Sequence, residues 1–179
     1  MRSQVKVDSM KSKHGGTQFE AIRIADQLGR AFDGSAWHGP ALLELLEDVD
    51  AETAAAKPLP KVHSIWELVL HVAVWDRTAL HRLSGEKCQP TGLANFPLAQ
   101  VPSEAAWRKA IAETKRTHET LVETVAALPD SRLGDRVPGK RYNFYHLLHG
   151  IVQHELYHAG QIAILKKFQA AKAGILVGR

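Results

Sequence analysis

Only one of the chain's 179 residues is a cysteine, Cys88. That excludes an internal disulfide and a cysteine-built zinc cluster, and so sparing a use of thiols fits a reducing cytoplasm. No apolar run approaches membrane-spanning length, and the first residues lack the apolar core of a secretory signal, so a cytoplasmic protein with no membrane partner is expected. Strong charge of one sign is also missing. Of the formal net charge of +4, Arg2, Lys6, Lys11 and Lys13 against Asp8 supply +3, which leaves the rest of the chain nearly neutral. Residues 1–16 therefore read as a disordered basic tail, solvated rather than bound, and no nucleic-acid partner is expected. Finally, no stretch shows the sustained period-2 alternation of strands.

What the sequence has instead is apolar residues at three- and four-residue spacing, in a chain of the size and composition of one globular domain. Residues 17–33 carry Ile22, Ala25, Leu28 and Phe32 on one stripe and stop at Gly34. Pro40 suits the first turn of a helix with Leu42, Leu43, Leu45, Leu46 and Val49 on its apolar face, ended by Pro58 and Pro60. Ser64 and Glu67 make a capping-box pattern ahead of a segment, Ile65 to Trp75, that is apolar on nearly every side, as a central bundle helix would be. After a long connection from Gly85 to Pro102, Ser103 caps a helix with Trp107, Ile111, Thr114, His118, Leu121, Val125 and Leu128 on a heptad seam. The last helix is expected from near Asn143 to near Phe168. The expected fold is all-α: a four-helix bundle with long crossover connections and an additional short N-terminal helix, over residues 17–170, with a C-terminal tail at 171–179.

Within the last helix stands HELYH, residues 154–158, a match to the zinc-protease pattern H-E-x-x-H. That reading fails its second test, because Gln161 and Ile164 occupy the positions where HExxHxxGxxH needs Gly and His, and no ligand follows further on. The two histidines still share a face, about 40° apart, with Leu147, Ile151 and Leu165 near them. A lone histidine on an apolar face, such as His118, reads as a hydrogen-bonded core residue. Two on consecutive turns, each costing about 1–3 kcal/mol if left buried without partners, call for a shared solution, and a divalent metal is the commonest. The partner expected is His71 on the central helix, flanked by Leu68 and Trp75. His146 and His149 lie about 80° and 140° around the helix from His154, and His63 precedes the Ser64 cap, so these weigh less. Three imidazoles suit zinc or nickel and leave a coordination position open, the arrangement of catalytic rather than structural sites. Glu155 is a candidate general base, and Trp37 and His38 are candidates for the rim of a substrate pocket. GDRVPGK, 134–140, lacks the Ser or Thr of a phosphate-binding loop, and Cys88 has no marked base beside it.

The strings AFDGSAWHGPALLELL (31–46), HSIWELVLHVAVW (63–75) and HELYHAGQIAILKK (154–167) resemble the DinB-like superfamily, also called DinB/YfiT-like, and the likeness runs from about residue 18 to residue 168. The resemblance implies a four-helix bundle holding one divalent metal, nickel or zinc, on His71, His154 and His158. It also draws in Gln161, which points toward the same site as a second contact to a ligand histidine or to substrate. Relatives are often homodimers, and some look like S-transferases or isomerases that use a low-molecular-weight thiol. The expected function is accordingly a metal-dependent enzyme acting on a small-molecule substrate, a thiol-dependent S-transferase or a hydrolase. The alternative is a non-catalytic metal-binding module in a stress response or an interaction.

Overall fold

The capping box expected at Ser64 forms: its Oγ accepts from the Glu67 N–H at 3.2 Å, and Glu67 Oε2 accepts from the Ser64 N–H at 3.1 Å. The computed structural model describes residues 19–99, 101–172 and 174; the basic tail expected at 1–16 and most of the tail expected at 171–179 lie outside them. Six helices follow in order, α1 (Glu20–Asp33), α2 (Leu42–Leu46), α3 (Ala51–Ala55), α4 (Ile65–Leu83), α5 (Glu104–Ala126) and α6 (Phe144–Lys172). Among the described residues the extended pairing is confined to a bridge between Arg136 and Asn143.

Four of these helices close a ring, with α4 against α5 and α6, and α1 against the same two. The bundle is thus the expected one, but α1 is a full member of it rather than an addition. Its amino end has no capping side chain in its own sequence. The cap comes from Asp130, just after α5, whose Oδ2 accepts from the Phe19 and Glu20 N–H groups at 2.9 and 3.1 Å while Oδ1 accepts from Ala21 at 2.9 Å. The helix expected after Pro40 is instead broken into α2 and α3. Asp50 causes the break, since its Oδ1 accepts from the Thr53 N–H at 2.8 Å and starts a new helix there.

The interior has two apolar layers. One gathers Phe32, Leu42, Trp66, Trp107 and Ile162; the other gathers Ile24, Leu28, Ala79, Leu121 and Leu148. Between them every bundle helix but α1 contributes a buried polar residue: Asp76 from α4, His118 from α5 and Glu155 from α6. His71, His154 and His158 stand at the same level, at the seam between α4 and α6.

Candidate metal centre

His154 and His158 occupy consecutive turns of α6, and His71 meets them across the seam from α4. The Nε2 atom of His154 lies 3.0 Å from Nε2 of His71 and 3.0 Å from Nε2 of His158. The outward nitrogens of two rings are tied down. His71 Nδ1 donates to the Asn95 carbonyl at 2.6 Å, and His158 Nδ1 donates to Gln161 Oε1 at 2.7 Å. Each bond fixes the tautomer that turns an Nε2 lone pair inward. Phe96 completes the setting as the middle of a three-ring stack, 3.7 Å from the His71 ring and 3.9 Å from the His63 ring. Gln161 is one turn beyond His158 on α6, whereas Asn95 and Phe96 come from the connection after α4, just past a 3-10 turn at Gly92–Ala94.

Three acceptor nitrogens so close together need something positive among them. A proton is a poor answer, because burial disfavours the imidazolium and neighbouring imidazoles repel it. His71 is held down to about 4 and His154 to about 3, and His158 is lowered as well. One N–H on His154 would satisfy one of its two contacts and leave the other unmatched; its Nδ1 is buried without a partner. Three neutral imidazoles with inward lone pairs therefore fit a borderline divalent cation, and outer partners of the kind seen at His71 and His158 are what such sites carry.

The three histidines line a cavity of about 450 Å³ shared with Trp75, Arg82, Tyr142, His146 and Ile151 among others. Its size is that of a small-molecule site. Not all the expected residues stand there. Trp37 and His38 are exposed and border a different depression, with Arg30 and Val152. Glu155 departs furthest from its expected role: it is fully buried, its side chain is in the polar core layer, and it is not among the residues of the cavity wall. The helix geometry explains why. Glu155 is seven residues after Leu148 and seven before Ile162, both fully buried, and residues seven apart lie within about 20° of one another. The two histidines are displaced from that line toward the seam.

The partners of Glu155 make a second cluster. His118 Nδ1 lies 3.1 Å from Asp76 Oδ2 and 2.9 Å from Glu155 Oε1, all three residues are buried, and the His118 ring stacks on Phe32 at 4.0 Å. Burial alone would lower the His118 pKa; the two carboxyl groups at its Nδ1 override this and raise it to about 10. Burial first, and Asp76 second, raise Glu155 to about 8. The carboxyl groups thus favour the charged form of His118, and burial beside Asp76 favours the protonated form of Glu155. His118 is the hydrogen-bonded core residue expected, but Asp76 and Arg82 were missed. Asp76 has Val72, Ala73, Ala79 and Leu80 three and four positions away, a pattern that marks it as buried, whereas Arg82, with Thr78 four before it and Glu86 four after, carries no such signal.

With this geometry in view, comparison with known proteins gives one family: the model of the DinB superfamily matches residues 36–162, most of the chain. No curated protein and no solved structure matches.

Proposed function

Since the chain belongs to the DinB superfamily, we propose that it is a metal-dependent enzyme in which His71, His154 and His158 hold one divalent ion through Nε2, with a free position toward the cavity. The convergence of three neutral Nε2 atoms at the cavity wall carries this reading. When bound, the ion supplies Lewis acidity that draws the pKa of a coordinated water or thiol toward neutrality. The chain's own part is to hold the rings in place through the Asn95 carbonyl and Gln161, and to keep the reacting end dry with Trp75, Phe96 and Ile151.

Among the described residues no Asp or Glu lines the cavity, which favours one reaction over the other. Without a carboxylate base, the nucleophile loses its proton mainly through the cation's field, with the His146 imidazole as the base that the wall offers. A thiol, ordinarily near about 8.5, needs far less help than water at about 15.7. Thiol-dependent S-transfer is therefore favoured over hydrolysis. Zinc or nickel as the ion, a low-molecular-weight thiol as cosubstrate, a homodimer and a cytoplasmic location extend the reading on the family likeness and the thiol-poor composition. The competing reading is a metal-binding module without catalysis.

Elemental analysis of the purified full chain tests the first step. About one divalent ion per chain is expected, lost in His71→Ala, His154→Ala and His158→Ala alike; undiminished metal in the triple variant refutes the assignment. Cobalt-substituted protein titrated with small thiols then separates the two readings. A changed visible spectrum supports transfer chemistry, and an unchanged one favours the binding module.

A further inference from the structure

Arg82 is fully buried, yet none of its partners is an acid. Its Nε and one Nη donate to the Cys88 carbonyl at 3.1 and 2.9 Å, the same Nη donates to Gln89 Oε1 at 3.2 Å, and the other Nη donates to the Tyr142 hydroxyl at 3.1 Å. The guanidinium also lies over the Trp75 ring, 5.5 Å from Cζ. Among the described residues Arg82 forms no ion pair with a carboxylate. A buried guanidinium with only neutral partners carries a desolvation cost that a counter-ion normally offsets.

The surroundings deepen the imbalance. Arg82 lines the same cavity as the three histidines, and among the described residues no Asp or Glu stands in that wall. Lys140 also donates to Gln89 Oε1, adding a second cation at the same end. At the other end the histidines would hold a divalent ion. Only an indole separates the two ends: the Trp75 ring is 5.5 Å from Arg82 Cζ and 5.6 Å from the His154 ring. Of the five guanidinium N–H groups, four are engaged by these contacts, which leaves one on the Nη that meets Tyr142. The Tyr142 hydroxyl accepts from Arg82 and keeps its own proton to donate. Two donors side by side match the two oxygens of one planar carboxylate; a phosphate would ask for more.

We propose that Arg82 and Tyr142 form an anion subsite, and that the small-molecule ligand of this cavity is a carboxylic acid whose apolar body lies along Trp75, Leu147 and Ile151 with its other end at the histidines. The identification of the far end as the reacting end rests on the metal reading above; the anion subsite itself does not. The probe is 3-phenylpropanoate against the neutral 3-phenylpropanol, titrated calorimetrically into the full chain with and without zinc, with metal content measured in parallel. The acid is expected to bind about tenfold or more tighter than the alcohol, the scale of one hydrogen bond to a charged group. Arg82→Met is expected to abolish the preference and leave metal content unchanged. Should that variant not fold, Tyr142→Phe, which removes one donor and leaves the guanidinium, is expected to weaken the acid severalfold and the alcohol not at all. Equal binding of acid and alcohol, no binding of either, or a preference that survives both substitutions overturns the proposal. A chain that takes up no metal yet still prefers the acid sinks the metal reading and leaves the subsite standing.

Discussion

The same layer of the bundle holds two histidine clusters that solve the problem of buried polarity in opposite ways. At the α4–α6 seam, His71, His154 and His158 have no acid beside them among the described residues, stay neutral and turn their lone pairs inward beside a cavity. Between the apolar layers, His118 is buried against Asp76 and Glu155, whose carboxyl groups favour its charged form. By ligand type and spacing both are metal candidates, since in each the donor atoms lie within 4.8 Å of one another. Charge separates them. A cation at the seam displaces nothing, whereas a cation in the core must expel a proton that His118 holds to about 10. What suits an imidazole cluster to metal is the lack of any other way to satisfy its lone pairs.

The sharpest way to break this comparison is to remove one residue from each cluster in metal-free protein and follow urea unfolding. His118→Ala leaves Asp76 buried without its counter-ion, and the expected loss is about 3–5 kcal/mol, with metal uptake still about one ion per chain. His158→Ala should cost much less, because it relieves a crowd of lone pairs as it removes packing, but it should abolish uptake. If the two variants are equally unstable, or if His118→Ala loses its metal, the division between a binding cluster and a structural one fails.

That division was only half legible beforehand. HELYH and the spacing of Trp75 and Leu68 around His71 marked the seam histidines as core-facing, because helix periodicity sets which residues share a face. The heptad seam of α5 was equally plain, and Trp107, Thr114, His118, Leu121 and Val125 are buried along it. Two features were hidden for a common reason: each depends on a residue far away in sequence. The α1 cap comes from Asp130, about 110 residues on, so the local sequence marks the first helix as an addition to the bundle. Asn95 and Phe96 reach His71 from an irregular connection whose path no periodicity predicts. Glu155 drew attention through its neighbours in the motif, when its neighbours on the helix, Leu148 and Ile162, were the better guide. Trp37 and His38 share a string with family likeness but belong to an exposed turn of their own.

Acid and alkali should act on the two clusters in opposite directions, which sharpens the contrast without deleting any side chain. The seam histidines have folded-state values of about 4 and 3 against an ordinary 6.5, so in metal-free protein the stability tied to their neutrality is present above 6.5 and lost as pH falls. His118 is raised from 6.5 to about 10, so its contribution is complete below 6.5 and is lost as pH rises through 10. Glu155, raised from 4.5 to about 8, adds a penalty that grows between those values, since the unfolded chain ionises there first. Above pH 6.5, where the seam histidines no longer titrate in either state, the urea midpoint is therefore expected to decline with pH in the parent and to decline less steeply up to pH 8 in Glu155→Gln. Identical slopes in the two proteins would remove Glu155 from the account.

The smallest effect expected separates the histidines from what holds them. Gln161 touches no ligand nitrogen that faces the cavity; its Oε1 accepts from His158 Nδ1 at 2.7 Å and so keeps the Nε2 lone pair pointed at the site. Gln161→Ala frees the ring to adopt the other tautomer and to rotate, and the expected cost is about tenfold in metal affinity, the lower end for such outer partners. Unfolding of the metal-free chain should hardly change, because Gln161 is only half-buried and exchanges its bond for water. Gln161→Glu keeps the acceptor and adds charge, so competition with a chromophoric chelator should rank it at or above the parent and well above Gln161→Ala. If all three bind equally, His158 is oriented by the walls of the seam rather than by its hydrogen bond, and the inward lone pairs have another cause.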